Sequence, residues 1–104
     1  MIGRRLPVVD AKTFTTPQKP GDYSGPVDIG DGKQAVYFLL PIARDEGVDP
    51  GARSIHAVHS PPHTLRECAD GSLEIRASIG ARGTRNEGYV WHGYLDEGHV
   101  WREC

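Results

Sequence analysis

Glycine and proline interrupt this chain so often that long helices are disfavoured. Its 104 residues include 13 glycines and 8 prolines, about a fifth of the sequence, and they fall in clusters rather than in a repeat. Glycine raises the entropy lost when the backbone is ordered, and proline removes a backbone donor. Because the segments between clusters are short, they suit strands and turns better than helices. The sequence therefore predicts an all-β fold, or nearly so.

We expect one domain spanning residues 1–104, folded as a small sandwich or a partly open barrel. It should contain six to eight short strands and at most one short helical turn, after Pro41. Residues 1–33 carry much of the proline and glycine, so they are predicted to form an irregular segment. This segment should pack on a β core formed by residues 34–104.

Two apolar runs open that core. Residues 34–42 (QAVYFLLPI) have the length and the β-branched and aromatic content of a strand buried on both faces. Residues 53–59 (RSIHAVH) are predicted to form a second strand, which ends before Pro61 and Pro62. Both segments lack the length of a stable helix.

Residues 63–79 predict a β-hairpin whose register can be derived from its side chains. A loop of residues 69–71, with Gly71 left-handed in a bulge, sets Arg66 opposite Glu74 as an oppositely charged pair. A two-residue Asp70-Gly71 turn would mix polar and apolar faces instead. The three-residue loop collects the apolar side chains on one face: Leu65, which lies opposite Ile75, with Leu73, Ala77 and Ile79.

A second hairpin is predicted at residues 89–101 (YVWHGYLDEGHVW), where two tryptophans, two tyrosines and two histidines are concentrated. A loop of residues 96–98, again ending in glycine, closes it. An aromatic ring over a strand glycine covers backbone that the glycine leaves bare. The loop sets two cross-strand pairs: Leu95 with His99, and Gly93 with Trp101.

This hairpin has two apolar faces, and one small core cannot easily bury both. One face carries Tyr89, Trp91, Gly93, Leu95, His99 and Trp101. The other carries Val90, His92, Tyr94, Val100, Arg102 and Cys104. An exposed face of this kind is typical of an interaction surface, and Trp, Tyr and Arg are the residue types that carry binding energy. The candidate binding residues here are Trp91, His92, Tyr94 and Trp101.

The loop between the hairpins, residues 80–88 (GARGTRNEG), is polar and rich in glycine. Its glycines permit close backbone approach, and Arg82 and Arg85 supply bidentate donors for a phosphate or nucleotide. A solvated loop of the same composition is the alternative. Arg82 and Arg85 are therefore candidate ligand-binding residues.

Histidine and cysteine, the usual zinc ligands, allow a metal-binding alternative. The spacing argues against a tight site, because side chains three residues apart on a strand point to opposite faces. Two prolines exclude a helix here, and CxxC and HExxH motifs are absent. We assign no metal ligand and no cofactor. The residues concerned are His56, His59, His63 and Cys68 in one stretch, and His92, His99 and Cys104 in the other.

Composition weighs against several classes of function. The formal charge of −2 and a pI near 6.2 disfavour nucleic-acid binding. No apolar run approaches about 18 residues, and no signal peptide is indicated, so neither a membrane span nor secretion is expected. Cys68 and Cys104 are then expected to be reduced thiols in a cytoplasm. An enzyme is the less favoured class, because no GxSxG occurs and Cys68 lies beside a turn without a helix N-terminus.

Residues 63–101 resemble small uncharacterised proteins encoded by actinobacterial phages and other mobile elements. The resemblance is carried by DGSLEIRASIG at 70–80 and by WHGYLDEGHVW at 91–101. Some of those proteins have a cysteine just before the W-H-G and further cysteines that look metal-binding, whereas this chain has Tyr89 and Val90 there. The resemblance implies a phage or prophage origin and action inside a bacterial host, where small phage proteins often bind and redirect a host protein.

From residues and resemblance together we expect a non-enzymatic binding module in a bacterial host cytoplasm. It should engage a host or phage protein, or itself, through the aromatic C-terminal hairpin. A small zinc-type domain using histidine and cysteine, and a phosphate or nucleotide site at residues 80–88, are the two alternatives.

Overall fold

A computed structural model, which describes residues 1–7, 19–42, 55–82 and 89–104, contains two β-sheets. The all-β prediction is confirmed, and the fold fits a small sandwich. The described residues form nine strands rather than six to eight. They are β1 (Arg4–Leu6), β2 (Asp22–Ser24), β3 (Val27–Gly30), β4 (Lys33–Leu39), β5 (Ile55–Ser60), β6 (Thr64–Glu67), β7 (Leu73–Arg82), β8 (Tyr89–Asp96) and β9 (Val100–Glu103).

The first sheet is organised around β4. One edge of β4 pairs antiparallel with β5 along its length, and the other edge pairs with β3 and then with β2. Strand β1 joins β2 in parallel. Ala35 and Val36 point to opposite faces of β4 and are both buried, as expected for a strand covered on two sides. The helical turn allowed after Pro41 falls outside the described residues.

The second sheet is an antiparallel meander in the order β6-β7-β8-β9. The N-terminus ties the two sheets together, because Ile2 forms a bridge with Val100 at the edge of β9 just before the chain enters β1. Hydrogen bonds from Gly3 N to His99 O (2.7 Å) and from Trp101 N to Met1 O (2.8 Å) fix this crossing.

The N-terminal segment is more regular than its composition predicts. Residues 1–33 were expected to be irregular, yet β1, β2 and β3 all lie within them. Each of these short strands contributes a buried side chain, Leu6, Tyr23 and Val27 respectively. Pairing of β2 and β3 with β4, pairing of β1 with β2, and burial of these side chains outweigh the local preference of glycine and proline for turns.

The first predicted hairpin is confirmed in register. Leu65 pairs with Ile75, Arg66 pairs with Glu74, and Gly71 is left-handed with a φ of 86°. One face assignment was wrong, because Ala77 is exposed. Ile75 pairs with Leu95 and Ile79 pairs with Gly93, so this part of β7 has two more residues than the part of β8 that it faces. The regular alternation of side chains between the two faces of β7 is lost at this irregularity.

The second predicted hairpin is present, but its predicted register was wrong by two residues. Leu95 pairs with Trp101 rather than with His99, and Gly93 pairs with Glu103 rather than with Trp101. The turn holds two successive left-handed residues, Gly98 (φ 86°) and His99 (φ 62°), instead of ending at Gly98. Ser72 Oγ accepts a hydrogen bond from Gly98 N (2.9 Å), which anchors the turn to the first hairpin.

A shift of two residues preserves which side chains share a face, so the wrong register leaves the two tryptophans on one face and His92, Tyr94 and Arg102 on the other. Val90 departs from the prediction, because it packs against the core cluster. The ring beside Gly93 also differs from the prediction. A Cβ added to Gly93 would lie 2.8 Å from ring atoms of Trp91, so Trp91 rather than Trp101 covers this glycine.

The core lies between the sheets and is rich in aromatic rings. Trp101 is stacked on Phe38 of the first sheet at 5.3 Å and meets Trp91 of the second edge-on at 5.6 Å. Its Nε1 donates to Gly21 O at 2.8 Å. The buried cluster comprises Tyr23, Val36, Phe38, Leu40, Val58, Leu73, Ile75, Ile79, Ala81, Trp91, Leu95 and Trp101.

Tyr23 makes this core sensitive to alkaline pH. Its side chain is fully buried, its hydroxyl lies 2.6 Å from His99 Nδ1, and burial raises its pKa to about 12. Between pH 10 and 12 the unfolded chain loses the phenolic proton while the folded chain keeps it, so stability falls as pH rises, by at most about 3 kcal/mol. We expect Tyr23→Phe to remove this component of the pH dependence when urea unfolding is compared at pH 9 and pH 11.5. If Tyr23→Phe and the unsubstituted protein lost the same unfolding free energy between pH 9 and pH 11.5, the assignment of this pH dependence to Tyr23 would be contradicted.

Candidate binding surface on the outer face of the C-terminal sheet

The structure divides the aromatic residues of the C-terminal hairpin between core and surface. Trp91 and Trp101 are only 4% and 3% exposed, so they lie inside the protein and present no contact surface. His92 and Tyr94 point the other way and are half-buried. The remaining candidate surface is therefore the side of β6–β9 that faces away from the core.

We call this side the outer face. Cross-strand pairing along β6–β9, together with the contacts of Tyr94 and His92 to β7, places its side chains together. Its members are Arg66, Glu74, Arg76, Ser78, His92, Tyr94, Asp96, Val100 and Arg102.

Tyr94 lies at the centre of the outer face between two guanidinium groups. The Cζ of Arg102, its direct cross-strand partner, is 4.3 Å from the ring centroid, and the Cζ of Arg76 is 5.1 Å away. Both distances are within the range of cation–π attraction. The ring is therefore held by a cation from each neighbouring strand.

Asp96 fixes both arginines. Its Oδ2 accepts from Arg102 Nε at 2.8 Å, and its Oδ1 accepts from Arg76 Nη2 at 2.7 Å. Hydrogen bonding from Arg102 is the largest cause that holds the pKa of Asp96 below its usual range, and the bond from Arg76 acts in the same direction. One carboxylate thus orients two guanidinium groups around one ring, which makes the surface pre-organised.

The charges of the outer face balance. Arg66 donates to Glu74 in a two-point contact of 3.0 and 3.3 Å and lies 3.5 Å from Glu97. The hydrogen bond from Arg66 lowers the pKa of Glu74. Arg76 and Arg102 share Asp96, so the charges sum to zero only when Glu97 at the margin is counted with Glu74 and Asp96 against the three arginines. The surface therefore has no strong attraction for a polyanion.

A serine and a histidine are also paired on this face. Ser78 Oγ lies 2.9 Å from His92 Nε2. A hydroxyl beside an imidazole is the first requirement of a nucleophilic site. Here the pair lies on the outer face, and neither residue lines the cleft between β5 and β7. The bond therefore orients the His92 ring on the surface.

The other predicted site residues are placed as follows. Arg82 is the last residue of β7, and its side chain and the whole of Arg85 lie outside the described residues, so the proposed phosphate site stays a prediction. Cys68 is buried, Cys104 is exposed, and both are free thiols. Within the described ranges, no group of three histidine, cysteine, aspartate or glutamate side chains is placed to hold a metal ion.

Comparison with known proteins gives no relative for this chain. No family model matches it, and no curated protein and no solved structure matches it either. In the part of the chain that the structure describes, no helix is long and apolar enough to cross a membrane.

Sequence reasoning placed His92, Tyr94 and Arg102 on one face but missed the other residues that organise it. Arg76 follows Glu74 at an interval of two within the correctly derived register, so the alternation could have placed it there. Ser78 lies beyond that register, within the irregularity between Ile75 and Ile79. Asp96 was assigned to a loop, and only the true register of the second hairpin makes it the last residue of β8, opposite Val100.

Proposed function

We propose that this protein is a non-enzymatic binding module that engages a protein partner through the outer face of its C-terminal sheet. The observation that carries the proposal is Tyr94 held between Arg76 and Arg102 with Asp96 bonded to both. Tyrosine and arginine dominate the binding energy of protein interfaces, and a pre-organised surface loses less entropy on binding.

The chemistry of the outer face also favours a protein over a nucleic acid. Its arginines are already bonded to carboxylates, so they offer little net charge for phosphate groups. Half-buried Val100 adds apolar area at its margin. Partly apolar, aromatic and charge-balanced surfaces are typical of interfaces between proteins.

We place this binding in a bacterial cytoplasm, with a host protein as the partner. The support for that placement is the resemblance of residues 63–101 to small phage proteins.

Replacing Tyr94 by alanine tests the proposal. We expect the amount of partner that the variant captures to fall about 30-fold or more, which is the effect of removing an interface hot spot. Its stability should fall by only about 1–2 kcal/mol, because two partly exposed cation–π contacts are lost. The measurement is affinity capture from bacterial lysate with quantitative mass spectrometry, combined with urea unfolding.

Tyr37→Ala is the matched control, because Tyr37 is a half-buried tyrosine on the other sheet. It should retain the same captured proteins as the unsubstituted chain. Equal capture by Tyr94→Ala and Tyr37→Ala would overturn the assignment of the outer face.

A further inference from the structure

A cleft of about 270 Å³ lies between β5 of the first sheet and the second half of β7 of the second. Its lining includes four consecutive residues of β5, 56–59, and three consecutive residues of β7, 79–81. Neighbouring side chains of a strand point to opposite faces of the sheet, so a single face cannot supply consecutive residues. The walls of the cleft are therefore the edges of the two strands, where backbone groups are presented.

The edge of β5 at this cleft is open among the described strands, where β5 pairs only with β4. Tyr37 N donates to Ser24 Oγ of β2, on the other side of β4, so the backbone of Tyr37 faces away from β5. Residues opposite each other in an antiparallel pair either both face the partner strand or both face away from it. Ala57 lies opposite Tyr37, so its N–H and C=O point outward from β5.

The edge of β7 presents its backbone in the same way. Cys104 N donates to His92 O at 2.8 Å, so the backbone of His92 faces the chain that continues β9. Gly80 lies opposite His92 and therefore points its own N–H and C=O away from β8. Ala57 and Gly80 both line the cleft and are both exposed.

The pairing of β7 with β6 ends before it reaches Gly80. Thr64, which pairs with Arg76, is the first residue of β6, and residues 61 and 62 are prolines that lack the N–H needed for a longer ladder. His63 Nε2, 3.0 Å from Ser78 O, replaces a strand at one point of this edge. Within the described ranges, no other residue bonds to the outward backbone groups of Ala57 or Gly80.

The floor between the two edges is apolar and uncharged. Phe38, Val58 and Ile79 are each at most 3% exposed. The described residues that line the cleft include no aspartate, glutamate, lysine or arginine, so no counter-charge offsets the cost of removing an ion from water. An open strand edge is completed by the backbone of another strand, and the floor favours apolar side chains on that strand.

We propose that this cleft binds an uncharged extended peptide segment, which adds a strand to the edge of β5. The segment exchanges backbone hydrogen bonds with Ala57, its inner side chains lie on Phe38 and Val58, and its other edge faces Gly80. A single strand fits better than the sheet edge of a second folded copy, because β7 forms the opposite wall. This site is separate from the outer face and does not depend on the protein partner proposed above.

A bead library of random heptapeptides tests the proposal. The labelled protein is offered to the beads with an excess of unlabelled Ala57→Pro, which competes for peptides that bind elsewhere, including the outer face. Proline at position 57 removes the outward N–H but no hydrogen bond of the β4–β5 ladder. We expect beads to remain labelled and to carry uncharged peptides with apolar residues at alternate positions. If no bead remains labelled, the proposal is wrong.

Two variants then compare the backbone with the side chain at position 57. Ala57→Pro should bind a selected peptide at least about 10-fold more weakly, because a peptide carbonyl loses its donor. Ala57→Val is the control, since it keeps the N–H and valine suits a strand, and it should bind the peptide normally. Equal weakening by the two substitutions would overturn the proposal.

Amide hydrogen exchange on the unsubstituted protein needs no variant. In the free protein the amides of Ala57 and Gly80 should exchange faster than those of Val58 and Ile79, which face β4 and β8. A selected peptide should slow the exchange of Ala57 and Gly80. If Ala57→Pro does not fold, peptides selected on the unsubstituted protein alone are judged by this measurement. Slowed exchange confined to residues of the outer face would contradict the proposed site.

Discussion

Trp101→Ala is expected to cost about 3–5 kcal/mol of unfolding free energy, the range for truncating a large buried aromatic side chain. Trp101 joins the two sheets, since its ring contacts Phe38 and Tyr23 on one side and Trp91 on the other. Its Nε1 also satisfies the buried carbonyl of Gly21, which the alanine would leave without a donor. The unfolding free energy of a small domain is only about 5–15 kcal/mol, so the variant should lose a large part of its stability.

Urea unfolding followed by circular dichroism measures this effect. Val100→Ala is the control, because Val100 is the neighbouring residue but faces away from the core and is half-buried. It should cost no more than about a third as much. Equal stability of the two variants would show that Trp101 is not the side chain that joins the sheets.

Gly93→Ala is expected to destabilise the protein by about 3 kcal/mol, although it adds only one methyl group. A Cβ at this position would lie 2.2 Å from Arg102 O and 2.8 Å from two ring atoms of Trp91. The carbonyl belongs to the backbone of β9, so the strand itself must move to make room. Gly93 is therefore required for β9 to approach β8 while Trp91 covers the strand.

Gly30→Ala separates this steric effect from ordinary backbone strain. Gly30 is left-handed with a φ of 92°, but nothing lies within 4 Å of an added Cβ. Its substitution should cost only the strain of a left-handed residue, about 1–2 kcal/mol. If chemical denaturation shows that Gly93→Ala lowers the unfolding free energy no more than Gly30→Ala does, the close packing of β8 against β9 and Trp91 is contradicted.

The parts of the fold that could be predicted are those in which local turn chemistry and side-chain pattern agree. The first hairpin has a glycine that must be left-handed and a charged pair that fits only one register. In the second hairpin, a shift of two residues leaves the same faces apolar, so the pattern could not choose between registers. The observed register depends on contacts with residues far away in the sequence, including Ser72 with Gly98 and Tyr23 with His99.

The N-terminal strands were beyond the reach of sequence reasoning for a similar reason. Strands β1 and β2 are three residues long and gain their stability from pairing with distant partners. The candidate sites depend on such partners as well. Asp96 can orient Arg76 and Arg102 only when three strands are aligned, and His63 meets Ser78 across 15 residues of sequence.

The account centres on one division of the aromatic hairpin: the tryptophans belong to the core, and Tyr94 belongs to the contact surface. Site-specific photo-crosslinking tests this division most directly, with p-benzoylphenylalanine placed at position 94 and, separately, at position 37 as the control. Irradiation in bacterial lysate should give a discrete, saturable adduct from position 94 and none from position 37. The absence of a discrete adduct from position 94, or the same adduct from both positions, would contradict the account.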